Sequence, residues 1–273
     1  MKIFKSLVII VLMSVFSVMK GQDGDVLLDK IDFNDTTLID RDFMKRTLAE
    51  YLTSKQDTAQ SQRVQMYAMI LASDNILNRS CTSYAMYKSV YQYLMYGFSE
   101  MGANMVVDYL MSLPYFEFVD ADDNQKKEIL EIAKSYDRVR IGAEAPDIQT
   151  VAINGKDFSL RGVDSRYTLL FFWSYSCPHC REMIGELGDF APQNSDVAIV
   201  TINISGDLKK IKRLLKKTHL EKCYNIFDGE GWNSRIVENY AVNMTPAFFL
   251  LDEDKKIIAK PFDIQELINE IER

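Results

Sequence analysis

Leu169-Leu170-Phe171-Phe172-Trp173-Ser174-Tyr175-Ser176-Cys177-Pro178-His179-Cys180 is the stretch on which the reading of this 273-residue chain turns. Leu169 to Trp173 is an apolar run of strand type. Two cysteines three apart follow it. Pro178 suits the first position of a helix, where its missing N–H costs nothing, and Arg181 to Leu187 continue as a helix. Two thiols at the mouth of a helix can close a small disulfide ring and reopen it, so the segment points to redox chemistry.

The spacing gives the two sulfurs different expected roles. A thiolate, not a thiol, attacks a disulfide. Cys177 falls at the N-terminal edge of the helix, where unpaired N–H groups and the helix dipole favour negative charge. A protonated His179 would add to that field. Cys180 lies one turn in and less exposed. Cys177 is therefore the expected attacking thiol and Cys180 the resolving one.

Other chemistries fit the residues less well. A structural zinc site usually needs a second ligand pair at suitable spacing. The remaining cysteines, Cys81 and Cys223, are far apart, and the chain has two histidines, His179 and His219. No metal is expected. Covalent haem attachment needs a histidine directly after the second cysteine, and here Arg181 stands there. A purely structural disulfide remains an alternative for an isolated pair.

Wider motifs make the stretch specific. Gly142-Ala143-Glu144-Ala145-Pro146-Asp147 precedes it, and Met244-Thr245-Pro246 precedes a later apolar strand, Ala247 to Leu251. The turn Asp252-Glu253-Asp254-Lys255 then leads to a further strand, Lys256 to Ala259. With these pieces, residues from about Val139 to Arg273 resemble the TlpA/ResA-like thiol-disulfide oxidoreductases of the thioredoxin superfamily. The resemblance implies an α/β thioredoxin-like fold, a central mixed sheet flanked by helices. It implies catalysis by Cys177 and Cys180, supported by Pro178, His179 and Trp173, with no cofactor beyond the redox-active Cys177–Cys180 disulfide. It further implies a cis Thr245-Pro246 loop that docks an extended substrate backbone. Partners would be protein thiols and disulfides of the cell envelope and an upstream redox partner.

The chain departs from the family in three places, one being Met183, three residues after the second cysteine, where family members often carry an acid and this chain has Glu182 one earlier. Many thioredoxins carry a buried acid two residues before the tryptophan; here that residue is Phe171, so no proton relay runs through it. Between the cysteines stands Pro178-His179, as in strongly oxidising DsbA-type proteins, rather than Gly-Pro. Family likeness implies net reduction. The dipeptide keeps a DsbA-like oxidase or isomerase as the alternative, beside a partner-binding module with an accessory thioredoxin domain. The Pro-x-x-x-Thr-x-x-Cys pattern of peroxiredoxins is missing.

At the other end, Lys2 and Lys5 precede an apolar run from Ser6 to Met19, too short for a comfortable membrane span and of signal-peptide type. Residues 1–21 are the expected signal, which implies export to the periplasm or cell envelope; left uncleaved, they would tether the chain to the inner membrane. Cleavage would remove three lysines and move the formal charge from −7 to −10. So acidic a chain is a poor nucleic-acid binder. Hydrophobic residues make up 47% of the sequence, enough for packed cores in two modest domains.

Residues 22–138 read as an all-helical N-terminal domain. Helices are expected over Asp40–Leu52, with Phe43, Met44, Leu48, Tyr51 and Leu52 inward, and over Ser61–Leu77, Thr82–Phe98, Met105–Leu113 and Asp123–Tyr136. Leu28 to Leu38 carries a resemblance to the helical domain of unknown function found ahead of thioredoxin domains in Bacteroidetes envelope proteins. The tyrosines from Tyr84 to Tyr96 suit a helical core with hydroxyls at its rim. Residues 139–273 alternate strand and helix. The lysines of a Leu208–Leu220 helix read as a solvated face. A final helix begins at Asp263, with Glu266 completing a capping box.

Overall fold

The computed structural model describes residues 25–112 and 121–272. The expected signal segment lies outside them. Among the described residues no helix is long and apolar enough to cross a membrane. These residues group into two units: 25–93 with residue 121, and 94–112 with 122–272. Chain order and compactness therefore divide the molecule differently. Strands begin only after Arg138, but the helical residues from Leu94 group with them.

The first unit is helical: α1 (Asp25–Leu28), α2 (Asp42–Ser54), α3 (Gln62–Ser80) and the opening turns of α4 (Tyr84–Glu100). Helix α2 buries Met44, Leu48 and Tyr51, the spacing of one helical face. Phe43, expected on that face, is instead exposed. It stands one position before Met44, and each step turns the helix by about 100°. Helix α4 is apolar on two adjacent stripes, Met86-Val90 and Tyr87-Tyr91, and buries both. The Tyr87 and Tyr91 rings stack at 5.9 Å, and the Tyr93 hydroxyl donates to the Lys45 carbonyl at 3.0 Å. The tyrosines thus fill a core and bond at its rim.

The second unit takes the end of α4, then α5 (Asn104–Met111) and α6 (Asp123–Arg138), followed by the strands. Helix α6 opens on a capping box: Asp122 accepts from the Gln125 N–H, and the Gln125 side chain accepts from Asp122. Its inward residues are Ile129, Ala133 and Tyr136. A hairpin of β1 (Gln149–Val151) and β2 (Asp157–Ser159) comes next, turning at Asn154-Gly155 with Gly155 at φ 83°. Asn-Gly is a strong turn signal, flanked here by strands of three residues each.

The main sheet holds β3 (Tyr167–Ser174), β4 (Val197–Ser205), β5 (Tyr224–Ile226), β6 (Ala247–Leu251) and β7 (Ile257–Ala259), in the order β5-β4-β3-β6-β7. Strands β3, β4 and β5 run parallel; β6 and β7 are antiparallel to their neighbours. Helices α7 (Pro178–Phe190), α8 (Leu208–Lys217), α9 (Arg235–Asn239) and α10 (Ile264–Ile271) complete the unit. This is the α/β architecture implied by the sequence, a mixed sheet with helices. β3 is central and buried on both faces, which is why it reads as an unbroken apolar run. Leu169, Phe171 and Trp173 point to one core with Ile184, Leu187 and Phe248. Leu170 and Phe172 point to the other, with Val200, Tyr240 and Phe249.

At α10, Asp263 caps the helix by accepting the Glu266 N–H at 2.8 Å. The Glu266 carboxylate, however, accepts from the Phe262 N–H at 2.8 Å, one residue before the cap. Asp263 is fully extended (φ −147°, ψ 176°), and the expected box closes one residue early.

Candidate active site

Strand β3 delivers its last residues to the carboxyl edge of the parallel strands, the edge where α/β sheets place their sites. The pairing of β3 with β4 shifts there: Trp173 is opposite Asn203, but Ser174 is opposite Ser205. The shift brings three hydroxyls together. Ser174 Oγ lies 2.6 Å from Ser205 Oγ and 2.7 Å from Ser176 Oγ. The Tyr175 N–H donates to the Ser205 carbonyl at 2.9 Å, and Arg181 donates to the Tyr175 carbonyl at 2.7 Å. The two residues ahead of Cys177 are thereby held from both sides. Motif reading did not single out these serines or Arg181; Ser205 meets Ser174 only through strand pairing.

Helix α7 starts where the sequence indicated. Cys177 is its N-cap, Pro178 its first residue, and the backbone N–H of Cys180 donates to Cys177 Sγ at 3.3 Å. A sulfur thus sits where a serine or aspartate oxygen usually accepts. Charge on that sulfur would gain from the N–H and from the helix dipole. Cys177 is half-buried, Pro178 and His179 are exposed, and Cys180 is buried. His179 Nδ1 lies 3.1 Å from Glu182 Oε2, both side chains being exposed.

Burial pushes the Cys180 thiol up to about 11, and the neighbouring Cys177 adds to this; Ser174 backbone and Thr245 partly oppose it. Thr245 arrives from the loop before β6. The Thr245-Pro246 peptide is cis, and the Thr245 carbonyl oxygen lies 3.8 Å from Cys177 Sγ. Residues 68 positions apart are thus neighbours at the sulfur.

Two residues of β3 lie wholly in the core, Trp173 of the expected site and Phe171. Phe171 is fully buried and stacks on Phe248 at 4.4 Å. Trp173 is also fully buried, and among the described residues its indole N–H has no hydrogen-bond partner; the side-chain amide of Asn203, on the neighbouring strand in register, has none there either. Cys81 ends α3 in the first unit, its thiol donating to the Leu77 carbonyl at 3.2 Å. Cys223 lies just before β5, in the wall of a cavity with Ile153, Leu215 and Asn225. Burial pushes both thiols up.

With this geometry in view, the comparisons are specific. Residues 164–257 match the family model described as thioredoxin-like. The second unit carries a thioredoxin-like domain, and its enzyme class is that of the thiol-disulfide oxidoreductases. The chain is 25% identical over 126 residues to the thiol-disulfide oxidoreductase ResA of Bacillus cereus, covering 45% of this chain and 70% of that protein. It is 26% identical over 118 residues to the thioredoxin-like protein YneN of Bacillus subtilis, covering 42% and 67%. A thioredoxin-like protein from Bacteroides caccae, solved by crystallography, aligns over 94% of both chains with a TM-score of 0.59 at 16% identity, a likeness of fold.

Proposed function

We propose that this chain is an exported enzyme that exchanges disulfides with polypeptides of the cell envelope through Cys177-Pro178-His179-Cys180, with net reduction as its direction. The observation that carries the reading is the position of Cys177 Sγ. It accepts the Cys180 N–H at the start of α7 and lies 3.8 Å from the Thr245 carbonyl. One sulfur is thus accessible at the start of the helix, while the other is buried and kept protonated.

The chemistry follows in two exchanges. The Cys177 thiolate attacks one sulfur of a substrate disulfide, forms a mixed disulfide and expels the other substrate sulfur as a thiolate, which takes up a proton. Cys180 then loses its proton and attacks Cys177 Sγ. The Cys177–Cys180 disulfide forms, and the second substrate thiol leaves reduced. Two electrons have passed from the dithiol to the substrate, and an upstream dithiol partner must return them. The internal disulfide is the only redox group required. Thr245-Pro246 would hold the substrate backbone beside Cys177.

Two features support the direction and the setting. Strong oxidants owe their potential to a stabilised reduced form. Here His179, the histidine between the two cysteines, is turned to the Glu182 carboxylate at 3.1 Å. The basic and apolar leader, Lys2 to Met19, supports export.

The test is trapping together with a potential measurement. Full-length Cys180→Ser should accumulate mixed disulfides with envelope proteins through Cys177, and the wild-type potential should fall near that of thioredoxin, about −270 mV. No trapped species would overturn the exchange reading. A potential near about −120 mV would overturn reduction in favour of oxidation.

A further inference from the structure

The sheet face that carries Phe249 holds a second cluster of ionisable groups, which the exchange steps do not use. Lys260, just after β7, is buried. Its Nζ donates to Ser99 Oγ at 2.9 Å and to Glu100 Oε1 at 3.3 Å, and lies 5.2 Å from the Phe249 ring centre. A buried ammonium group is tolerated only when paired. Burial pulls Lys260 down and pushes Glu100 up, and each partly restores the other. Beside the pair, Asn243 Nδ2 donates to the Tyr136 hydroxyl at 3.1 Å. Glu100, Tyr136, Asn243, Met244, Ala247 and Lys260 line one cavity of about 10 Å³, the room of a single water.

The placement of these contacts is informative. Asn243 stands two residues before Thr245, and Lys260 leads into Pro261 and Phe262. The contacts thus fix the loop entering β6 and the loop leaving β7 to the ends of α4 and α6. Each of the two loops carries an exposed large apolar side chain, Met244 and Phe262. Exposed apolar groups on anchored loops suit contact with a polypeptide more than with a small disulfide. We propose that Tyr136 and Glu100 are positioning residues: through Tyr136, helix α6 holds the Asn243–Pro246 loop, and through Glu100, helix α4 holds the loop after Lys260, in the geometry that receives a polypeptide backbone. This rests on the disulfide-exchange reading above.

The experiment compares two probes with the full-length chain, kept reduced by excess dithiothreitol whose uncatalysed rate is subtracted: insulin, a polypeptide disulfide, and hydroxyethyl disulfide, which has no backbone to dock. Tyr136→Phe removes only the hydroxyl that Asn243 reaches, and Glu100→Gln removes the charge facing Lys260. For both, KM for insulin should rise about threefold or more with kcat nearly unchanged, the pattern of lost binding. Rates on hydroxyethyl disulfide should stay within about twofold. Amide exchange should quicken over residues 242–247 in Tyr136→Phe and over residues 260–263 in Glu100→Gln. Glu100→Gln leaves Lys260 short of its partner and can lose stability; Tyr136→Phe keeps the ring packing and decides the matter in that event. Equal losses on both probes, or no change on either, would overturn the positioning role. Wild-type protein inactive on both probes would instead remove the exchange reading beneath it.

Discussion

Cys177 Sγ and the backbone N–H of Cys180 are 3.3 Å apart, with the sulfur filling the acceptor position of the α7 N-cap. One contact therefore joins the local folding of the helix to the chemistry of the pair. The N–H that would otherwise be an orphan of the first turn finds its acceptor in the thiol that is to attack. It also places the two residues of the exchange within one turn, one half-exposed and the other buried.

That asymmetry predicts selective modification and a pH dependence. At neutral pH, iodoacetamide should alkylate Cys177 of the reduced protein well before Cys180, as read by peptide mapping. The Cys180 thiol is pushed up to about 11 in the folded chain, above the unfolded thiol value of about 8.5. Folding thus favours its neutral form. The associated stability is fully present below the unfolded value and is lost as pH rises toward about 11. Urea unfolding of the reduced protein should show this loss across alkaline pH, and Cys180→Ala should lessen it, the raised Cys81 and Cys223 thiols keeping the rest. An equal alkaline loss in that variant would assign the effect to other groups.

Glu182 should lower the potential of the pair. Its carboxylate lies 3.1 Å from His179 Nδ1, one turn from Cys177, and both groups are exposed. Glu182→Gln removes that negative charge from the active-site turn and should make the protein more oxidising. An exposed pair is worth about 0.2–1 kcal/mol, and 30 mV corresponds to about 1.4 kcal/mol. The rise in potential should be no more than about 20 mV. It is measured by equilibration with a glutathione buffer, and a fall in potential would contradict the sign.

Gly206 should be intolerant of a side chain. It follows β4 at φ 139°, and a Cβ there would lie 2.6 Å from the Cβ of Tyr175. Gly206→Ala should cost on the order of 1–3 kcal/mol. Because Tyr175 anchors the approach to Cys177 through Ser205 and Arg181, the variant should also change the Cys177 alkylation rate. Thermal unfolding and alkylation kinetics check the two effects separately. A variant of wild-type stability would show that Tyr175 moves aside freely.

Much of the site was legible because its signals are local. A helix start is written in Cys177-Pro178, where the proline and the acceptor are neighbours in sequence. The two-sided burial of β3 is written in Leu169 to Trp173. The turn and second strand after β6 were also plain. Phe43 was misplaced because it lies beside the apolar stripe of α2, and only packing decides where that stripe ends. The β1–β2 hairpin was missed because its strands are three residues each, too short to show alternation.

By itself the sequence determined the class of chemistry, a pair of thiols at a strand-to-helix junction, since spacing along one turn needs no distant partner. It also determined the α/β order of the second half, because apolar runs and amphipathic stretches declare themselves locally. Only the tertiary structure decided what surrounds those thiols. The Thr245 carbonyl at Cys177, the Ser174–Ser205 contact at the end of β3, the Tyr136–Asn243 bond and the buried Lys260–Glu100 pair all join residues 31 to 160 positions apart. Such contacts depend on strand order and helix packing, which the burial of two opposite sheet faces sets for the whole domain at once.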